Sequence, residues 1–324
     1  MEFIQSTMRR RAVKRGVLGL LTILVATLLP TASDALRGGT VIEGYPGVVE
    51  GGGCTGSMIA PNVVLTAAHC FDMLGAPTNS RGTGNFSIFY HDPERGRRQV
   101  FVGTATWIVS PSYRGKVDGV SAAGNADADH GVIMITRSVS GTDRFTDTDY
   151  HDYLRIYSDK REFLDTELQA CGAGSYTYSG KKDDKLRTSW LEVENVEYNH
   201  IVVDTRDKVN VCKGDSGGPL IYLARASGHD IPTIAGVLAR MDTESVIEGE
   251  NCAHNDPPHD DAYYSRISWE VIRFIEAQTG ISCRVHKSAS KEYVRCFDLP
   301  FIEDIESEGM QRDLAVALTV SSIN

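Results

Sequence analysis

The sequence predicts an all-β fold, a barrel or a sandwich, with a single helix near its C-terminal end. Two observations carry this prediction. Short apolar segments alternate with Gly, Pro, Asn and Asp between about residues 41 and 238, and closely spaced strands with such turn signals are typical of β-barrels and β-sandwiches. Residues 269–277 instead place apolar side chains at helical spacing, at Val271, Ile272 and Ile275.

The composition is that of an ordinary globular protein and excludes several classes. The chain has 324 residues, of which 41% are hydrophobic and 23% are charged, values typical of one or two folded domains. Its formal net charge of -10 argues against a nucleic-acid partner, because phosphate-binding surfaces need an excess of Lys and Arg. The sequence shows no internal repeat and no low-complexity segment.

The N-terminal residues have the pattern of a secretory signal peptide, which we assign to residues 1–35. A basic block at 9–15 precedes an apolar run at 16–29, and small residues follow at 31–35. The run is shorter than the roughly 20 apolar residues that a membrane-spanning helix needs. We therefore expect a secreted protein, extracellular or periplasmic, with no membrane span after cleavage.

Strands are predicted where β-branched and other apolar residues cluster between turn residues. Residues 75–98, rich in Gly, Asn, Ser and Arg, are predicted to be surface loops, and residues 111–128 a long loop. The predicted strands lie within residues 41–59, 63–68, 100–109, 131–135, 168–170, 190–196, 201–203, 220–224 and 234–238.

One glycine-rich stretch, residues 213–220, is unusual for a purely structural turn. It runs Lys-Gly-Asp-Ser-Gly-Gly-Pro-Leu and places Ser216 between glycines. A serine hydroxyl is a good nucleophile only when a base removes its proton and when donors stabilise the oxyanion that it creates. The N–H groups of Gly214 and Ser216 are placed by the sequence to be those donors. On its own, the stretch also fits a plain turn between two strands.

Two further segments supply the residue types that such a serine needs. His69 follows the apolar segment 63–68, and Asp129 precedes the apolar residues 132–135. A histidine can take the hydroxyl proton, and an aspartate behind it fixes the tautomer of its ring. Taken alone, His69 fits a packed or solvated histidine and Asp129 fits a strand cap, and Asp127 is a second candidate for the acid.

The three segments together resemble the trypsin and chymotrypsin family of serine proteases. They are Leu-Thr-Ala-Ala-His-Cys at 65–70, Asp-His-Gly-Val-Ile at 129–133 and Gly-Asp-Ser-Gly-Gly-Pro at 214–219. The resemblance implies two antiparallel six-stranded β-barrels and a C-terminal helix within residues 36–278. Residues 279–324 lie outside it and form an extension whose role we leave open.

The resemblance implies a serine endopeptidase with Ser216, His69 and Asp129 as its catalytic triad. Asp129 is preferred to Asp127 because the apolar strand begins soon after it, as the family pattern requires. Peptide bonds would be hydrolysed through an acyl-enzyme, with the N–H groups of Gly214 and Ser216 as the oxyanion hole and without cofactor or metal. Partners would be protein or peptide substrates and a proteinaceous inhibitor. Two other classes stay open: a non-catalytic binding protein on this scaffold, and an esterase-like hydrolase.

The resemblance also implies disulfides, which an exported protein can form. The pairs that match the family are Cys54–Cys70 and Cys212–Cys252. Seven cysteines leave at least one thiol unpaired or paired between chains. Outside the resemblance we expect Cys283 to pair with Cys296, which leaves Cys171 as a buried free thiol, and a Cys171–Cys283 bond is the alternative.

The family pairs a freshly cut N-terminus with the acid just before the catalytic serine, which here is Asp215. Residues 36–39, Leu-Arg-Gly-Gly, resemble that N-terminus, although Arg37 is unusual in the second place. A buried carboxylate needs such a partner. Because a signal peptidase cut after Ala35 would create Leu36 directly, we predict that export itself activates the enzyme.

The pocket that the resemblance implies differs from that of an enzyme specific for basic residues. Its floor is Asn210, its wall includes Ala239 and Met241, and Ala262 stands where glycine is usual. These residues favour a small or medium neutral side chain before the cut. The two aspartates at 260–261 leave a basic preference open. Histidines and carboxylates also mix in that neighbourhood, but the prolines there favour a solvated loop over a metal site.

Overall fold

The described residues of the computed structural model are 36–60, 62–76, 80–92, 96–117, 120–121, 128–135, 155–156, 163–175, 182–205, 209–226, 229–241, 252, 261–288 and 291–297. Within them the chain is mostly β-strand, with a 3₁₀ segment and one α-helix. The predicted signal peptide, residues 1–35, lies outside the described residues, as do residues 298–324.

The first barrel follows β1 (Thr40–Ile42) in the chain. Its strands are β2 (Val48–Gly51), β3 (Cys54–Ala60), β4 (Val63–Thr66), β5 (Arg81–Asp92), β6 (Gly96–Val109) and, after the short ribbon of β7 (Lys116–Val117) and β8 (Val120–Ser121), β9 (Gly131–Met134). The six strands close antiparallel in the order β2-β3-β4-β9-β6-β5. A closed barrel leaves no free sheet edge.

Strand β5 fills part of the region that the sequence analysis assigned to loops. Phe86 and Ile88 of β5 are buried, whereas Asn85 and Ser87 beside them are exposed. This alternation is that of a strand with one face in a core. The prediction of surface loops over residues 75–98 is therefore wrong, because the polar residues between the apolar ones hid the two-residue period.

The core of the first barrel is centred on Trp107 of β6, which is 1% exposed. Its ring stacks on that of Phe71, with the centroids 5.5 Å apart. Gly82 permits this arrangement, since a Cβ at that position would lie 2.5 Å from the Trp107 ring. Phe71 belongs to the 3₁₀ segment Ala68–Leu74, so core packing fixes the segment that also carries His69.

The second barrel follows the two-residue strand β10 (Arg155–Ile156). Its strands are β11 (Glu167–Gly172), β12 (Leu186–Val196), β13 (His200–Asp204), β14 (Pro219–Ala226), β15 (His229–Met241) and β16 (Asp261–Arg266). They follow the order β14-β11-β12-β13-β16-β15, and β14 pairs with β15 to close the ring. The predicted architecture of two antiparallel six-stranded barrels is confirmed.

The predicted C-terminal helix is also confirmed, as α1 (Trp269–Thr279). The Ser268 hydroxyl caps its first turn by accepting the Val271 N–H, and Gly280 ends it at a φ of 75°, a conformation that glycine adopts without strain. Strands β17 (Ser282–Ser288) and β18 (Lys291–Phe297) then form a hairpin. Strand β18 pairs with β10, which itself runs beside β15, so the hairpin extends the second sheet.

Apolar side chains join the two barrels into one unit. One buried cluster combines Leu65 of the first barrel with Ile234 of the second, Ile272 of the helix and Val294 of the hairpin. This contact holds the facing surfaces of the barrels together, which matters for any site that draws residues from both. No helix in the described part of the chain has the length and apolarity that a membrane crossing requires.

Candidate active site

His69 and Asp129 contact each other on the first barrel. His69 lies in the 3₁₀ segment, and Asp129 directly precedes His130 and β9. The ring Nδ1 is 2.7 Å from Asp129 Oδ2, and the His69 backbone N–H donates to Oδ1 at 2.8 Å. Both carboxylate oxygens thus hold the same residue, which fixes the ring in place. With the Nδ1 hydrogen directed to the carboxylate, Nε2 is the nitrogen that can accept a proton.

The neighbouring His130 has a different environment. It is 1% exposed, and burial lowers its pKa to about 4, with its Nε2 3.3 Å from the Ser265 carbonyl oxygen. Such an imidazole is neutral near pH 7 and is sealed from solvent. Asp127, the second candidate for the acid, lies outside the described residues.

The loop that carries Ser216 touches the His69 segment through its glycines. A Cβ at Gly217 would lie 2.0 Å from Thr66 Oγ1 and 2.9 Å from the Ala67 backbone nitrogen. A Cβ at Gly218 would lie 2.4 Å from the Cys171 carbonyl oxygen. Only glycine fits at these two positions, at Gly217 because the first barrel packs directly against the loop and at Gly218 because β11 of the second barrel does. Ser216 therefore stands next to residues that lead into His69.

Apart from that of the exposed Lys213, two backbone N–H groups of this loop have no acceptor in the described part of the chain. The N–H groups of Asp215, Gly217 and Gly218 donate to carbonyl oxygens of Cys212, Leu238 and Asp215, respectively. By contrast, the N–H groups of Gly214 and Ser216 donate to no atom of the described chain. Buried N–H groups without partners are rare in folded proteins. The two exceptions are the residues that the sequence analysis assigned to the oxyanion hole.

Asp215 is fully buried and accepts three backbone N–H groups. Gly174 donates to Oδ1 at 2.8 Å, Cys212 to Oδ2 at 2.8 Å and Leu36 to Oδ2 at 3.3 Å. Burial raises the pKa of this carboxyl to about 6, and the three donors oppose the rise. The structure thus brings Leu36 and Asp215 together through a backbone hydrogen bond, and the ion pair with a freshly cut N-terminus stays a prediction.

The segment at Leu36 is inserted into the second barrel. Leu36 is 1% exposed and lies in the apolar cluster of that barrel. Arg37 and Asn210 exchange two backbone hydrogen bonds, of 2.8 and 2.9 Å. Leu36 has a φ of 37°, in the left-handed region that costs a residue with a side chain roughly 1–2 kcal/mol. The φ torsion of Leu36 includes the carbonyl carbon of the preceding residue. A cut before Leu36 removes that atom, and with it the cost of the left-handed conformation.

The residues predicted to form the substrate pocket lie at one end of the second barrel. Asn210 and Ala239 are buried, and Met241 is partly buried. Met241 of β15 lies opposite Ala262 of β16, which is 0% exposed. Beside them the Arg240 guanidinium lies 4.0 Å from the centroid of the Tyr263 ring, a cation–π contact.

The predicted disulfides are confirmed. The bonded pairs among the described residues are Cys54–Cys70, Cys212–Cys252 and Cys283–Cys296. The alternative Cys171–Cys283 bond is wrong, because Cys283 faces Cys296 directly across the hairpin of β17 and β18. Cys171 is a free, buried thiol, and burial raises its pKa to about 12, which makes it unreactive.

One group of side chains in the described part of the chain has metal-ligand spacing, namely Cys54, His69 and Cys70. The two sulfurs are bonded to each other, and a disulfide sulfur is not the thiolate that a metal needs. The group therefore does not fit a metal ion. Most of the histidine- and carboxylate-containing loop after Cys252 lies outside the described residues.

Sequence reasoning missed Thr55, which holds the loop from the first barrel, and Glu50, a nearly buried acid of β2. The Thr55 hydroxyl donates to the Gly214 carbonyl oxygen at 2.8 Å. Glu50 lies 3.1 Å from Arg97 Nε and 3.8 Å from Lys182 Nζ; burial raises the pKa of its carboxyl, but His91, Arg97 and Lys182 together outweigh burial and lower it. The only available signal was an acid and a hydroxyl within predicted strands of a barrel core.

Two comparisons with known proteins agree with this geometry. A protein-family model described as Trypsin matches residues 45–258. A chymotrypsin of Phaedon cochleariae is 28% identical over 177 residues, which are 52% of this chain. The match covers 58% of the length of that chymotrypsin.

Proposed function

Since the chain belongs to the trypsin family, we propose that it is a secreted serine endopeptidase that uses Ser216, His69 and Asp129. The single observation that carries this proposal is the contact between His69 and Asp129, in which both carboxylate oxygens hold one histidine. A structural histidine has no need of such a clamp. A general base has that need, because its ring must keep one tautomer and one orientation.

The chemistry follows from the proton that each group carries. His69 Nε2 takes the proton of the Ser216 hydroxyl while Oγ attacks the substrate carbonyl carbon. The negative charge that develops on the carbonyl oxygen is met by the N–H groups of Gly214 and Ser216. The amine leaves with the proton from His69, and an acyl-enzyme is formed. Water then attacks that ester with His69 as base again, which releases the acid and restores the serine.

We extend the proposal to activation by export. Removal of residues 1–35 would convert the Leu36 N–H into an ammonium group 3.3 Å from Asp215 Oδ2. It would also relieve the φ of 37° at Leu36. Both changes stabilise the inserted segment and the loop around Asp215. N-terminal sequencing of the exported protein tests this idea, and a mature start at any residue other than Leu36 contradicts it.

The expected substrates are proteins or peptides with a small or medium neutral side chain before the cut. Met241 stands opposite Ala262 on neighbouring strands, and Asn210 has no charge with which to meet a basic side chain. A panel of chromogenic peptides that differ in this one residue measures the preference. Faster cleavage after Arg or Lys than after Ala or Val would contradict the neutral pocket.

Labelling with a fluorophosphonate tests the proposed reaction directly. The wild-type chain should be labelled and should hydrolyse peptide substrates, whereas Ser216→Ala should do neither. The Cys171 thiol offers a matched control, because Cys171→Ser changes a buried group that has no part in the reaction and should keep the labelling. An unlabelled wild type that binds peptides without cleaving them would instead favour a binding protein, and cleavage of esters alone would favour an esterase.

A further inference from the structure

Thr55 stands where the first barrel meets the loop of Ser216. It lies in β3 directly after Cys54 and is 1% exposed. Its hydroxyl donates to the Gly214 carbonyl oxygen at 2.8 Å and accepts the Ala173 N–H at 3.1 Å. A threonine hydroxyl has one donor and two acceptor sites, so one buried side chain serves both partners.

The backbone of the same residue makes a second contact with the loop. The Thr55 N–H donates to the Ser216 carbonyl oxygen at 2.9 Å. Apart from the exposed Lys213, Gly214 and Ser216 are the loop residues whose own N–H groups have no acceptor in the described chain. A first-barrel residue thus holds the carbonyl of each residue whose N–H group is assigned to the oxyanion hole.

The side-chain contact matters because it holds the carbonyl end of the peptide group that follows Gly214, whose other end, the Asp215 N–H, donates to the Cys212 carbonyl oxygen at 3.0 Å. A glycine at a φ of 99° lies in a broad, permissive region of backbone conformation. On one side of it, the Ser175 N–H fixes the Lys213 carbonyl at 2.8 Å. On the other side, the Thr55 hydroxyl fixes the Gly214 carbonyl. With both flanking peptide groups held, the direction of the Gly214 N–H is set before a substrate arrives, as a preorganised donor requires.

We propose that the Thr55 side chain is a positioning residue for the oxyanion hole, acting through the Gly214 carbonyl that its hydroxyl holds. The inference rests on the proposed protease function and adds to it a dependence between the barrels: a hydroxyl of the first barrel sets the direction of a donor in the second. Thr55 itself contacts no reacting atom. Its effect should therefore appear in the rate of the chemical step and not in substrate affinity.

Thr55→Val tests the proposal, because it keeps the shape of the side chain and removes the hydroxyl. The buried Gly214 carbonyl and Ala173 N–H then lose their partner. We expect kcat to fall about 10-fold, less than the 10²–10³ that deletion of an oxyanion donor itself costs, with KM within about twofold of wild type. Thr55→Ser restores the hydroxyl and should recover most of kcat.

Thr233→Val is the matched control. Thr233 is 0% exposed, and its hydroxyl donates to the Tyr222 carbonyl oxygen at 2.8 Å within the second barrel. The same isosteric change should lower the melting temperature of both variants, but only Thr55→Val should lower kcat. An unchanged kcat in Thr55→Val, or an equal loss in both variants, would overturn the proposal.

Amide hydrogen exchange adds a readout that needs no catalysis. In a Ser216→Ala background, Thr55→Val should speed exchange of the bonded Asp215, Gly217 and Gly218 amides about 10-fold, and Thr233→Val should not. Unchanged exchange in Thr55→Val would count against the proposal. A wild type that neither cleaves nor labels would instead overturn the proposed function, and the exchange comparison would still decide the role of Thr55.

Discussion

The two barrels build their halves of the candidate site in different ways. In the first barrel, side chains hold each other: Asp129 clamps His69, and the Phe71–Trp107 stack supports the segment beneath. In the second barrel, the proposed nucleophile and oxyanion donors lie on a glycine-rich loop held by Asp215, Thr55 and Leu36. The half that contains His69 and Asp129 is thus held within one barrel, whereas the loop half also depends on the first barrel and on the segment at Leu36.

Asp129→Asn should have the largest effect and tests the locally held half. An amide donates where a carboxylate accepts, so His69 would be held in the wrong tautomer, and kcat should fall about 10⁴-fold with little change in KM. Steady-state kinetics on a peptide substrate measures it. Asp72→Asn is the control in the same barrel, since Asp72 accepts from the Tyr113 hydroxyl at 2.7 Å. Comparable losses in both variants would refute the assignment of Asp129.

Gly217→Ala should have the next largest effect and tests the loop half. The new Cβ would lie 2.0 Å from Thr66 Oγ1 at a φ of 79°, so the loop must move away from the first barrel. We expect at least a 100-fold loss of kcat/KM, since misplacement of about 1 Å costs that much, together with a lower melting temperature.

Gly96→Ala separates the clash from the backbone strain in that experiment. Gly96 has a φ of 70° and nothing within 4 Å of a Cβ position. Alanine at this position therefore introduces the backbone strain without a clash. It should cost about 1 kcal/mol of stability and leave the kinetics unchanged. Equal kinetic losses in the two variants would mean that contact between the barrels does not shape the loop.

The pH dependence of stability tests the link between Asp215 and the N-terminus. In a chain that retains Ala35, Leu36 has a peptide N–H and the pKa of Asp215 is raised by burial to about 6. The folded state then binds the proton of Asp215 more tightly than the unfolded state. The contribution of this proton to the free energy of unfolding is therefore complete below pH 4, and about 3 kcal/mol is lost as the pH rises through 6. Urea unfolding at pH 4, 5, 6 and 7 measures this slope.

A chain that begins at Leu36 should behave differently. Its ammonium group would lie beside Asp215 Oδ2 and lower the pKa of that carboxyl, so much of the loss between pH 4 and 6 should disappear. Asp215→Asn should remove the slope in the chain that retains Ala35. Identical slopes for the two N-termini would show that no ion pair forms there.

Ser268→Ala should have the smallest effect and serves as a reference outside both halves. The Ser268 hydroxyl accepts the Val271 N–H at the start of α1. Loss of such a cap costs about 1 kcal/mol of folding free energy, and kcat should stay within twofold of wild type. Thermal unfolding measures the first quantity. A large kinetic effect would reveal coupling between the helix and the site.

The sequence was sufficient where the relevant contacts are local or carried by a family pattern. Most strands of the barrels, helix α1 and the disulfides were predicted. Strand β5 was missed because polar residues between Phe86 and Ile88 hid its period. The hairpin of β17 and β18 was missed although its own pairing is local, because residues 279–324 lie outside the family resemblance.

Thr55 shows most clearly what sequence reasoning cannot reach. Its hydroxyl contacts residues 118 and 159 positions further along the chain. In the sequence it is one threonine in a predicted strand, a position that β-branched residues fill for packing alone. Only the closed barrels and their contact reveal that the hydroxyl points at the loop backbone.

The burial of Trp107 gives the protein an internal optical probe. Of the three tryptophans in the chain, Trp107 is 1% exposed in the first barrel, whereas Trp190 and Trp269 are 46% and 39% exposed elsewhere. Indole emission shifts to longer wavelength as water reaches the ring. A red shift during denaturation should therefore mainly report the unfolding of the first barrel. Fluorescence can thus follow the unfolding of this barrel separately from that of the second barrel.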